Sequence, residues 1–272
     1  MNALAPLQPM RHGSQFRAFG LHAGELTNPF LGIDHAWMSG PTFPAHPHAG
    51  FSAVSYLFLD SETWINNRDS LGGRQQILPG GLHWTAAGRG VVHEENPAEP
   101  GKTVHMLQIF VNLPREKQGD APFALALPPQ DVPVVTLPGA KVRVPLGAFG
   151  GQRSPLNPPT EVLLLDITLE AGAELSVPVP AGHTAFVLPI FGRLTVNDQL
   201  AESDGAPVPV MTAGPDAQVI RLHAAQGPAK VVLFAGEPLD QPVYWQGPMA
   251  LASPEALVNA MTAYRRGDFG RL

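Results

Sequence analysis

Hydrophobic residues along this chain fall in short runs that glycine or proline cuts every few positions. Two long stretches, residues 16–113 and 161–245, carry this strand-and-turn signal. Between them lie Pro128-Pro129, Pro133, Pro138, Pro145, Pro155 and Pro158-Pro159. That proline density reads as an interdomain connection with short extended pieces at residues 132–137 and 141–144. A weak echo ties the two stretches together. His48-Ala-Gly-Phe-Ser-Ala-Val-Ser-Tyr-Leu-Phe in the first resembles Gly182-His-Thr-Ala-Phe-Val-Leu-Pro-Ile-Phe-Gly in the second. Two copies of one small β-unit would account for the length. One helix is expected at the C-terminal end: Ser253 suits an N-cap, Pro254 the first helical position, and Gly267 a stop. Between them Leu257, Ala260, Met261 and Tyr264 recur at helical spacing, an apolar stripe for packing on a sheet.

Composition narrows the function classes. Of 272 residues 44% are hydrophobic. At that length roughly three quarters of the unfolded surface can be buried, so whole-chain disorder is excluded. Only 15% are charged, while 28 glycines and 30 prolines punctuate the chain. Both features favour many short strands over long helices. The net charge is −6 and the basic doublet Arg265-Arg266 has no neighbours of its kind, so an electrostatic grip on nucleic acid is disfavoured. Absence of cysteine excludes disulfides, thiolate nucleophiles, iron–sulfur clusters and cysteine zinc sites together. The opening MNALAPLQPMRHG lacks a basic segment followed by an apolar one, so no signal peptide is expected. No apolar run approaches the roughly 20 residues of a membrane span. These readings predict a cytoplasmic, β-rich protein that binds neither membrane nor nucleic acid.

The candidate chemistry sits in two closely spaced groups, His46-Pro47-His48 and His93-Glu94-Glu95. Residues two apart on a strand share a face, with Cα atoms about 6.5–7 Å apart. Imidazole and carboxylate groups at that separation can converge on one ion at about 2.0–2.2 Å. Alternation selects Glu95 over Glu94, because Glu94 falls on the face opposite His93. His46, His48, His93 and Glu95 then make a three-histidine, one-carboxylate site. Spacing alone leaves solvated rim histidines, or a single catalytic histidine, as open alternatives. Donor type alone fits Fe, Mn, Ni, Cu or Zn. In the second stretch His183 and His223 stand unpaired, so a metal there would lack ligands.

The motifs also carry a resemblance. His46-Pro-His-Ala-Gly-Phe, Asn67-Arg-Asp-Ser-Leu-Gly, Pro79-Gly-Gly-Leu-His-Trp-Thr-Ala-Ala-Gly-Arg-Gly-Val-Val-His-Glu-Glu and His105-Met-Leu-Gln-Ile-Phe-Val-Asn-Leu-Pro resemble the pirin family, as do Asn28-Pro-Phe-Leu and Gly247-Pro-Met. The likeness spans nearly the whole chain. It implies an all-β bicupin, two tandem cupin-type β-barrels, to which the pattern adds the C-terminal α-helix. Residues 1–130 would form a metal-binding barrel, and residues 131–272 a metal-free barrel with the terminal helix. The family's ligands fall on His46, His48, His93 and Glu95, and its metal is Fe(II), one per chain, with other divalent transition metals possible.

Some family members resemble quercetin dioxygenases, which implies a small aromatic substrate such as a flavonol, dioxygen as co-substrate, and Glu95 also as catalytic proton acceptor. Others act as iron-dependent partners of transcription regulators or metabolic enzymes, so a protein partner without turnover is the alternative. Phe43, Phe51, Phe110 and Trp84 are candidates for an aromatic wall, and at most one of His105 and Gln108 can face the cavity. The chain departs from the family at Ser52, where a glutamate is common, so a possible extra carboxylate beside the metal is missing. It also departs at Gly80-Gly81 and at His83, an added imidazole that could belong to the pocket.

Overall fold

The computed structural model describes residues 2–203 and 205–272. The same arrangement of strands occurs twice. In the first barrel a seven-stranded sheet runs in the order Phe123–Leu127, Leu82–Ala86, Phe51–Leu57, Val104–Asn112, Phe30–Met38, Phe16–Leu21, Gln8–His12. It is closed by a four-stranded sheet of His46–His48, Val91–Pro97, Ile65–Asp69 and Arg74–Ile77. The second barrel repeats the pattern with Asn2–Ala5, Val208–Met211, Thr184–Phe191, Ala229–Gly236, Val162–Leu169, Ala140–Leu146 and Val134–Leu137. Its smaller sheet holds Glu174–Val179, Gln218–His223, Arg193–Val196 and Gln199–Glu202. The chain is an all-β protein with two cupin-type barrels and a terminal helix, as the sequence led one to expect. No helix among the described residues is long and apolar enough to cross a membrane.

The two seven-stranded sheets pack back to back. Their outward residues form one core, with Ile33, Tyr56, Trp84 and Leu107 from the first sheet and Leu164, Phe186, Val210 and Phe234 from the second. Phe30 meets Phe186 and Phe234 edge to face, with ring centroids 5.3 and 5.4 Å away, a geometry favoured by the ring quadrupoles. The opposite faces of the first sheet look into their own barrel, where Ala18, Ala36, Met38 and Met106 cluster with Ile65 and Ile77 of the closing sheet. Trp84 therefore belongs to the seam between barrels rather than to any cavity wall.

Segments cross residue 130 in both directions. Asn2–Ala5 pairs antiparallel with Val208–Met211 in the second barrel. The helix Pro254–Arg266 forms where the caps predict it: Ser253 Oγ accepts from the Ala256 N–H at 3.1 Å, and Gly267 adopts φ 84°. It lies on the first barrel, with Ala260 and Phe269 packed against Ala49, Val92, Met249 and Leu251.

The edge of the seam carries buried polar groups. Tyr56 Oη donates to Asp166 Oδ2 at 2.8 Å, and Lys230 Nζ lies 3.4 Å from the same oxygen. Next to it, His35 Nε2 and His105 Nε2 are 2.7 Å apart, and Trp37 stacks on His105. Because His105 Nδ1 faces the Asp60 carboxylate at 3.0 Å, it carries the proton there; His35 is then the donor of the imidazole pair. Burial first, then the neighbouring His105, Arg17 and Lys230 charges, lowers the His35 pKa to about 3. Between pH 6.5 and 3 the unfolded chain takes a proton at His35 that the folded protein refuses, so stability falls as pH falls. From pH 7 to pH 5 that single histidine should cost about 2 kcal/mol. Urea unfolding of wild type and His35→Gln at both pH values checks this. The variant should lose less on acidification, and equal losses would refute the assignment.

Candidate metal centre

Register brings the two histidine-bearing segments together. His46–His48 is the edge strand of the four-stranded sheet and pairs with Val91–Pro97, so His46 stands opposite His93 and His48 opposite Val91. Pro47, which has no N–H to donate, fits an edge, and its partner Val92 is covered by the C-terminal segment. The pleat turns His46, His48, His93 and Glu95 into the barrel, where all four line one cavity. Glu94 turns outward to Arg68, with 2.7 Å between Oε2 and Nε.

The three imidazoles converge. His48 Nε2 lies 2.9 Å from His93 Nε2, and His46 Nε2 lies 3.2 Å from it. The outer nitrogens are tied down: His46 Nδ1 donates to the Pro44 carbonyl at 2.9 Å, and His48 Nδ1 to the Pro248 carbonyl at 3.2 Å. Those bonds place the ring protons on Nδ1 and aim the Nε2 lone pairs inward. Burial keeps all three rings uncharged, with His48 lowered to about 3 and His93 well below its ordinary value. His93 Nδ1 has no partner among the described residues, so its ring is free to turn a lone pair on Nε2 toward a cation, which would then satisfy all three inward nitrogens at once. At metal–nitrogen bonds of about 2.1 Å, right-angled ligands stand about 3.0 Å apart and tetrahedral ones about 3.4 Å. The observed spacings start at the first value and stop short of the second. These residues therefore fit a divalent transition ion, and among the described residues they are the one such cluster of three.

Glu95 shares the cavity but not that cluster. Its carboxyl rests on Ser55, whose Oγ is 2.7 and 3.0 Å from the two oxygens. Burial raises its pKa to about 7 against the opposing pull of the Ser55 hydrogen bond. Ser55 is a candidate site residue that the sequence passes over in favour of Ser52. Both lie on Phe51–Leu57, but on opposite faces: Ser52 shares the face of Val54 and Tyr56, which pack in the seam. A carboxylate at position 52 would point away from the cavity, so its absence here removes nothing from the site. His83 faces the barrel in the same row as Ser55 and accepts from Asn67 Nδ2 at 3.3 Å, its pKa lowered to about 4 by burial. It does not line the cavity.

The cavity has a volume of about 210 Å³ and is mostly apolar. Phe16, Phe43 and Phe110 with Met38 and Met106 form its walls, while Asp34 and Gln108 add polar groups. Phe51 stands behind His48, with ring centroids 5.1 Å apart. Gln108 faces inward and His105 outward, as their opposite parity on one strand requires. The C-terminal segment closes the outer side. Gly50 has φ 84°, and a Cβ there would collide with the Ala250 carbonyl, so only glycine admits the segment that delivers Pro248 to His48.

Comparison with known proteins gives consistent results. The family model described as Pirin matches residues 11–111, and the Pirin C-terminal cupin domain matches residues 164–270. A Pseudomonas aeruginosa protein named "Putative quercetin 2,3-dioxygenase" is 31% identical over 280 residues, covering 97% of this chain and 92% of that one. Mouse Pirin is 34% identical over 249 residues, covering 90% and 85%. The crystal structure of a quercetin 2,3-dioxygenase from Acinetobacter baumannii superposes with a TM-score of 0.86 at 26% identity, covering 98% and 97%.

If the three inward nitrogens hold a cation, adding Fe(II), Ni(II) or Zn(II) stabilises the fold. At an ion concentration a hundredfold above Kd the gain is about 2.7 kcal/mol. His93→Ala should abolish that gain and reduce bound metal, by elemental analysis, from a single ion per chain to none. A wild-type thermal transition indifferent to metal would refute the site, and two ions per chain would show a second one.

Proposed function

The chain belongs to the pirin family, and on that premise we propose that it is a cytoplasmic, mononuclear Fe(II) protein that opens a flavonol such as quercetin with dioxygen, releasing carbon monoxide. His46, His48 and His93 hold the metal, and Glu95 joins them as fourth ligand and proton acceptor. In this reading residues 1–130 carry the metal-binding barrel and residues 131–272 a metal-free one, with Asn2–Ala5 and the terminal helix reaching across. The carrying observation is three neutral imidazoles converging beside a buried carboxyl at the end of an aromatic cavity. The names borne by the Pseudomonas and Acinetobacter relatives point to the same reaction.

Iron bound there supplies Lewis acidity and a redox centre through which dioxygen reacts with the substrate. The chain supplies the rest. Phe43 and Phe110 offer flat faces to a planar substrate, and Met38 and Met106 exclude water around it. Glu95, on leaving its place as ligand, would take the proton of the substrate's enolic hydroxyl at an Oε atom. Ser55 Oγ donates to that carboxyl and keeps it aimed from the opposite sheet. The Pro44 and Pro248 carbonyls fix the ring planes of His46 and His48, so little reorganisation accompanies binding.

Quercetin turnover under air, read as loss of its visible absorbance, tests the proposal. The ferrous wild type should bleach quercetin, His48→Ala should not, and Glu95→Gln should retain metal yet lose about 100-fold or more in rate. Wild type and His48→Ala bleaching at one slow rate would overturn the enzyme reading and leave the redox-sensitive partner protein in its place.

A further inference from the structure

Asp34 stands apart from the four candidate ligands, yet it lines the same cavity. It lies on Phe30–Met38, inward-facing with Ala36 and Met38, at one end of a polar row that crosses the floor of the barrel. Read across the sheet by register, the row is Asp34, Gln108, Ser55 and His83, with Glu95 leaning on Ser55 from the closing sheet. Apolar side chains occupy the register on either side: Ala36 with Met106 and Leu57 on one, Gly32 with Phe110 and Ala53 on the other. Two strand spacings, about 10 Å, separate Asp34 from Ser55. The cavity floor therefore carries a polar row, Gln108 lying between Asp34 and Ser55, with apolar registers on both of its flanks.

The Asp34 end is built, not incidental. Its Oδ1 is 3.1 Å from His22 Nε2, while Oδ2 has no hydrogen-bond partner among the described residues. The Asp34 side chain is 15% exposed and that of His22 41%, so the pair sits at the margin between cavity and solvent. Two glycines make room for it. A Cβ on Gly20 would lie 2.9 Å from Asp34 Oδ1 and 3.0 Å from His22 Nε2, and one on Gly32 would lie 2.6 Å from His22 Nδ1. Asp34 also raises the His22 pKa through their hydrogen bond, as an ion pair does. One carboxylate oxygen is thus braced by His22, and the other has no partner among the described residues.

We infer that Asp34, positioned by His22, is a specificity-determining anchor that accepts a hydrogen bond from a substrate hydroxyl on the side of the cavity away from the Ser55–Glu95 pair. The inference rests on the reading of this cavity as the site of a planar hydroxylated aromatic. It narrows that class: a volume of about 210 Å³ is below the roughly 300–1,000 Å³ of drug-sized pockets, so the enclosed part takes a fused bicycle. An enol and ketone occupy the histidine end, and a phenolic hydroxyl reaches Asp34. A substrate lacking that hydroxyl leaves the second carboxylate oxygen desolvated without a partner, which is the strong form of discrimination.

Two probes differing by one hydroxyl, 3-hydroxychromone and 3,7-dihydroxychromone, separate the possibilities when their binding to the ferrous protein is measured by titration calorimetry without dioxygen. Wild type should prefer the dihydroxy probe by about tenfold or more, the range of a hydrogen bond to a charged group. Asp34→Asn should bring that ratio close to one. His22→Gln, a change at a largely solvent-facing side chain, should reduce the ratio part of the way. If both probes bind, His48→Ala abolishes binding, and the ratio is the same in wild type and Asp34→Asn, the anchor is refuted while the metal site stands. If neither probe binds the wild type, the anchor and the flavonol reading both fall.

Discussion

The centre of the first seven-stranded sheet is buried on both faces, and that single constraint shapes most of what the protein can do. Successive residues of a strand must face alternate sides, so each of the sheet's four central strands divides its side chains between two interiors, while the edge strands Gln8–His12 and Phe123–Leu127 stay largely or partly exposed. On Phe30–Met38, Ile33 goes to the seam between barrels, while Asp34, Ala36 and Met38 go to the cavity. On Val104–Asn112, Leu107 and Ile109 go one way, and Met106, Gln108 and Phe110 the other. A polar residue on such a strand has no solvent face to retreat to. It is paired inside, left unsatisfied at a cost, or there for a ligand.

The two interiors meet that demand differently. At the seam, Tyr56 pairs with Asp166 and Arg143 with the Gly80 and Pro129 carbonyls across the barrels, His35 pairs with His105 within the first, and Ser52 Oγ and Trp84 Nε1 stay buried without a partner among the described residues. In the cavity the arrangement is left incomplete. The outer nitrogens of His46 and His48 are anchored by carbonyls, their inner ones face His93, and desolvation denies all three a proton. Burial that merely penalises charge would be wasteful; here it converts three weak bases into three ready donors. The same desolvation holds the Glu95 carboxyl close to neutral pH, where gaining and losing a proton are nearly balanced.

How much of this was legible in the sequence follows from the range of the interactions involved. The convergence of His46, His48 and His93 depends on alternation within two short strands, and alternation is visible in the chain. So are the caps of the terminal helix, since Ser253, Pro254 and Gly267 act on neighbours a few positions away. The Pro248 carbonyl was not legible as a partner of His48, because the two are 200 residues apart and only tertiary packing joins them. Ser52 drew attention through family comparison, whereas counting parity from Gln108 through its cross-strand partner singles out Ser55. Trp84 was a plausible wall residue until the second barrel claimed its face of the sheet. In each miss the local pattern was read correctly and the identity of the layer on the other side was unknown.

The repeat supplies its own control for which features belong to chemistry and which to the fold. By position in the sheets, His46–His48 corresponds to Glu174–Val179 and Val91–Pro97 to Gln218–His223. Where the first barrel turns imidazoles and a carboxylate inward, the second presents Leu175, Val177, Ile220 and Leu222, all buried in an aliphatic core. The paired strands and the closing sheet survive that exchange, so the histidines are not needed to build a barrel of this kind. An apolar filling is the cheaper solution, since it asks for no partners and leaves no lone pair unsatisfied. Keeping three buried imidazoles, a buried carboxyl and a polar row in one barrel while its twin is packed with aliphatics is a cost that stability does not explain. The binding of something from outside the chain does.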